Sequence, residues 1–105
     1  MSNPIYNYKA WKEFIDPAGE MPEAEWDELS DLQRLALALA CFPNGEFEIN
    51  SLNVGWCRVR VFPEGDFVRW EITQFIRPIY QNAVYLDGGN YQTTEAAIEG
   101  LVKAL

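Results

Sequence analysis

Two alternating runs on either side of a short turn constrain this chain more than any other feature. Cys57, Val59 and Val61 alternate with Trp56, Arg58, Arg60 and Phe62. After Pro63-Glu64-Gly65-Asp66, Val68, Trp70 and Ile72 alternate with Phe67, Arg69, Glu71 and Thr73. Successive strand side chains point to opposite faces, so each run describes a half-buried strand. Two such runs joined by so tight a turn can pair only antiparallel. The hairpin then has one apolar face and one face of arginine, glutamate and aromatic rings. A slip of one residue would turn every apolar side chain to water, so the register is well specified. The alternation assigns Trp70 to the core beside Val59 and Val61, and Trp56 to the opposite face.

The flanks extend this hairpin. Phe47 and Ile49 alternate with Glu46, Glu48 and Asn50 as an earlier strand. Ala83 to Leu86 reads as a later one, after a break at Pro78 and before a closing turn at Asp87-Gly88-Gly89-Asn90. Upstream, Tyr8, Trp11, Phe14 and Ile15 have helical spacing, with Asn7 as cap and Asp16-Pro17-Ala18-Gly19 as stop. Pro22 suits a helix first turn, and Ser30-Asp31-Leu32-Gln33 matches a capping box. Either one helix runs from Pro22 to Phe42 or two meet at Ser30. Leu35 to Phe42 is apolar throughout, which predicts a central helix buried on most sides and ended by Pro43-Asn44-Gly45. A last helix follows Thr93 or Thr94, with Ala97, Ile98, Leu101, Val102 and Leu105 as its stripe.

These elements predict one α+β domain over residues 1–105: N-terminal helices, an antiparallel sheet of three to four strands, and a C-terminal helix packed on one sheet face. The order α-β-β-β-α resembles that of double-stranded-RNA-binding domains. Those domains carry a basic cluster where the last helix begins. Here that stretch is Thr93-Thr94-Glu95-Ala96-Ala97, so the resemblance is one of topology.

Residue chemistry excludes several functions. The chain has no histidine, which removes histidine triads, cysteine–histidine pairs and most zinc sites. It has no phosphate-binding glycine loop, no dinucleotide spacing and no calcium loop. Lys9, Lys12 and Lys103 fall at exposed helical phases. We therefore expect no enzyme, no metal and no cofactor. Cys41 and Cys57 sit in apolar patterns and read as two reduced core thiols. The N-terminus has no signal-peptide character and no apolar run approaches the ~20 residues of a membrane span, so the expected location is the cytoplasm.

Charge is the sharpest functional signal. The chain of 105 residues holds 16 acids and 8 bases, a net charge of −8. Glu13, Asp16, Glu20, Glu23, Glu25, Asp27, Glu28 and Asp31 fall between positions 13 and 31, where no base occurs. The rest of the chain is balanced, so this segment carries the whole net charge. In a continuous helix from Pro22, Glu23, Asp27 and Asp31 would form one stripe. Like charges at that spacing cost a few tenths of a kcal/mol per pair, which folding alone does not favour.

Three functional readings follow. In the first, the protein is a non-catalytic interaction module or inhibitor. Its acidic helical face, Glu20, Glu23, Glu25, Asp27, Glu28 and Asp31, docks on a basic protein, with Trp56, Arg58 and Arg60 as further contacts. A nucleic-acid-processing partner, its groove occupied by carboxylates in place of phosphates, is one such target. Direct nucleic-acid binding is disfavoured by the acidic balance, and no membrane partner is expected. In the second, the chain is a structural subunit or homodimer joined through the aromatic sheet face. In the third, it binds a small ligand in a pocket lined by Tyr80, Tyr85 and Tyr91. On the sheet face, Glu46, Glu48 and Glu71 are placed to neutralise Arg58, Arg60 and Arg69 across the strands.

Overall fold

A computed structural model of the chain describes residues 3–42, 44–77 and 82–105, with 75–77 and 82–87 described by their backbone alone. The hairpin is its centre. Strand β2 (Gly55–Glu64) pairs antiparallel with β3 (Phe67–Arg77), with Val61 opposite Trp70 and Glu64 opposite Phe67. The turn therefore narrows to Gly65-Asp66, with Gly65 at φ 62°. Pro63 and Glu64 belong to the strand. Pro63 can do so because β1 ends opposite Arg60, leaving no neighbour there that needs its missing N–H. Strand β1 (Glu46–Ser51) and β4 (Asn82–Tyr91) flank the hairpin, giving a four-stranded antiparallel sheet in the order β1-β2-β3-β4.

The sheet has an apolar inner face formed by Ile49, Cys57, Val59, Val61 and Ile72, all buried. Helices α3 (Asp31–Cys41) and α4 (Thr94–Ala104) pack on this side. Leu35, Ala38 and Leu39 of α3 and Ala97, Ile98 and Leu101 of α4 complete one core that extends from Ile5 to Leu105. Thr93 caps α4 by accepting from the Ala96 N–H. The N-terminal layer is α1 (Tyr8–Phe14), capped by Asn7, and the short α2 (Glu23–Glu28).

Several expectations change. Residues 22–42 form two helices, because Ser30 and Gln33 make the full reciprocal capping box at 3.2 and 2.8 Å. That box satisfies two end groups of α3 and breaks the chain at Leu29, so Glu23, Asp27 and Asp31 form no common stripe. Helix α3 is not buried all round. Leu37 is 40% exposed, and Ala40, Cys41 and Phe42 also face outward. The sheet and α4 cover one side of α3 and leave the other open. Cys41 is accordingly an exposed thiol, and only Cys57 is in the core. In α1, Ala10, Trp11 and nearby Ile15 are buried while Phe14 is largely exposed.

The glycines at 88 and 89 do not make a closing turn. Strand β4 runs through them, and the register shifts between the Val68–Tyr91 and Trp70–Gly88 pairs, so one extra residue is absorbed as a bulge. Trp70 explains the glycine: a Cβ on Gly88 would stand inside its indole. Gly100 likewise makes room for the Tyr91 phenol, which accepts from the Trp70 Nε1–H at 3.4 Å. Trp70 thus lies on the inner face as expected, but only half-buried, at the sheet's β4 side. The proposed break at Pro78 and the ring of Tyr80 lie outside the described residues, as does the side chain of Tyr85.

Candidate functional site

The candidate residues fall on two separate surfaces. Trp56, Arg58 and Arg60 alternate outward along β2 and occupy the outer face of the sheet. The acids belong to the helical layer on the other side.

The outer face is electrostatically closed on itself. Arg58 meets Glu48, its partner directly across β1, at 3.5 Å. Arg60 forks onto Glu71, its partner on β3, at 3.1 and 3.3 Å, and lies 4.3 Å over the Phe62 ring. Arg69 reaches Glu64 at 3.3 Å. Glu46 stands opposite Arg60 in the register, yet the Arg60 fork is directed at Glu71. Exposed pairs of this kind contribute about 0–1 kcal/mol each, so their main effect is to cancel the field of the face. Trp56 is 50% exposed and packs against Tyr6, with ring centroids 5.8 Å apart. Tyr6 comes from the N-terminal turn, which crosses the β1 edge. Asn3 donates to the Glu48 carbonyl at 2.7 Å, and the Tyr6 hydroxyl accepts from the Asn50 N–H at 2.8 Å. The turn thereby satisfies part of an otherwise open strand edge.

On the helical layer, the acids divide by role. Asp16 is structural: its carboxylate accepts from the backbone N–H groups of Glu20 and Met21 at 3.2 and 2.9 Å and holds the loop after α1. Asp31 opens α3 and lies 3.9 Å from Arg34. Glu20, Glu23, Glu25, Asp27 and Glu28 are all exposed, and none has an ion pair among the described residues.

The scaffold for these acids is a cluster of rings and one arginine. Trp26 turns inward from α2 and packs edge-on to Tyr8 at 5.5 Å and against Trp11 at 6.4 Å. Tyr8 donates to the Met21 carbonyl at 2.6 Å. Arg34 covers the Trp26 ring at 3.6 Å, donates twice to the Trp26 carbonyl at 3.2 and 3.0 Å, and donates to the Ile5 carbonyl at 3.0 Å. Its planar fork ties the N-terminal turn, α2 and α3 together in a way a lysine could not. Sequence reasoning missed Arg34. Its one signal is that it is the last charge before a wholly apolar stretch of helix.

Between this scaffold and α3 lies a cleft of about 350 Å³. Trp11, Ile15, Met21, Leu37 and Cys41 line it, and Asp16, Glu20 and Glu25 edge it. Trp11 is 2% exposed, and its indole N–H has no acceptor among the described residues. Tyr91, expected in a ligand pocket, instead packs against Gly100 of α4. Among the described residues, no helix is long and apolar enough to cross a membrane. No family model, no curated protein and no solved structure matches the chain.

Proposed function

We propose that the protein is a non-catalytic interaction module that docks on a basic protein surface through the acidic surface formed by α2 and the loop that connects it to α1. The supporting observation is an asymmetry of pairing. Arginines on the sheet face are matched by local carboxylates, whereas Glu20, Glu23, Glu25, Asp27 and Glu28 stand exposed with no ion pair among the described residues. A surface left uncompensated speeds encounter with a surface of opposite sign and selects against others. A groove that otherwise holds nucleic acid is one basic surface of this kind. By presenting carboxylates where phosphates sit, the protein would act there as an inhibitor. We place this activity in the cytoplasm, where two unpaired thiols persist.

The test is parallel affinity capture from the native host. The baits are the wild type, a Glu20→Gln/Glu23→Gln/Glu25→Gln variant, and Trp56→Ala. The proposal expects a basic partner that Trp56→Ala retains, that the triple variant loses, and whose recovery falls as salt rises. A partner lost by Trp56→Ala and retained by the triple variant would assign docking to the sheet face instead.

A further inference from the structure

Helix α3 presents an apolar surface that the fold does not cover. Leu35, Ala38 and Leu39 enter the core, while Leu37 and Cys41, one helical turn apart, face outward. A helix packed on a sheet ordinarily turns charged side chains to water. Here no charge follows Arg34 in the helix. The two outward residues form one side of the cleft described above. Trp11, Ile15 and Met21 form the other, and the charged residues at its edge are all carboxylates.

This combination selects its occupant. An apolar floor takes apolar side chains, and the exposed Glu20 and Glu25 at its rim take cations on the flanks of the same element. An amphipathic helix with large apolar residues at i, i+3 or i+4 and Lys or Arg beside them supplies both. A second copy of this chain does not match, because its net charge of −8 opposes the same rim. We infer that the cleft between the α1–α2 segment and α3 is a docking groove for a basic amphipathic helix of a partner protein. Leu37 and Cys41 form the apolar contact, and Glu20 and Glu25 receive the flanking cations. This rests on the reading that the acidic layer is the docking surface, and it adds the form of the element that docks.

Calorimetric titration of the full chain with three synthetic peptides of equal length tests it. One carries a leucine face flanked by lysines. The second replaces the leucines by glutamine, a good helix former without apolar surface. The third replaces the lysines by glutamate. The groove predicts binding of the first peptide and at least about tenfold weaker binding of the other two. It also predicts that Leu37→Ser weakens the first peptide by about tenfold and leaves the glutamine peptide unchanged, with the variant melting as the wild type does. Equal binding of the leucine and glutamine peptides would overturn the groove and leave the acidic docking surface standing. An unchanged leucine-peptide affinity in Leu37→Ser would overturn the groove as well. Failure of both lysine peptides to bind at low salt would overturn the docking surface itself.

Discussion

Single residues carry much of the specificity of this fold, and Cys57 is the clearest case. Its thiol is fully buried, with its sulfur 3.6 Å from the Ile49 carbonyl, and burial pushes its pKa from 9.0 up to about 11. The unfolded chain therefore gives up this proton before the folded chain does. Stability from this group is complete below pH 9.0 and is lost as pH rises towards 11. The Tyr6 phenol is also raised, by burial first and by the Asp31 carboxylate in addition, against the hydrogen bond from the Asn50 N–H. It acts in the same direction. Urea unfolding across that pH range should show the wild type losing stability, and Cys57→Val losing less of it. Identical alkaline slopes would contradict the buried assignment. The two sheet tryptophans form a second pair. Trp70→Ala removes a ring packed over Gly88 and should cost about 3 kcal/mol, the low end for a large aromatic because it is only half-buried. Trp56→Ala should cost less than about 1 kcal/mol, as exposed sites usually do. Similar losses in a thermal melt would show the one-sided sheet to be wrong.

Among the elements, those with a clean period were legible and those whose neighbours decide their exposure were not. The hairpin followed from alternation alone, since a period of two assigns both faces at once. Helix α4 was equally clear, because its cap and stripe agree. Helix α3 departs from its sequence expectation for a physical reason. Eight apolar residues in a row show that a helix need not face water, but not that anything covers it. Two layers cover only one side of α3. Gly88-Gly89 departs from the expected turn because a glycine pair signals a turn as well as a bulge, and only the Trp70 ring opposite distinguishes them. The break at Ser30 was present in the sequence as a capping box, but its strength against a continuous helix was not readable there. Ser30→Ala removes the acceptor for the Gln33 N–H and should cost about 1 kcal/mol. Denaturant unfolding checks this, and no measurable change would mean the box does not hold the helix boundary.

For the whole molecule, the charge segment was legible as composition but not as a surface. Its sequence position did not show that Asp16 and Asp31 are used internally, or that Glu20 and Glu25 border an apolar cleft. The acids and Trp56 also proved to lie on different layers, which separates two hypotheses that shared one residue set. Glu20→Gln/Glu23→Gln/Glu25→Gln removes three exposed charges that have no ion pair among the described residues. Relief of repulsion from Asp27 and Glu28 opposes the loss of two acids from the first turn of α2, so isolated stability should change by less than about 1 kcal/mol. Its effect should appear in association. With a partner captured from the host immobilised, the decisive measurement is the association rate of the wild type and of this variant across salt concentrations. An acidic docking face predicts a slower on-rate for the variant at low salt, a flatter salt dependence, and a smaller change in off-rate. Equal on-rates at low salt would contradict it and leave the acidic layer as ordinary solvated surface.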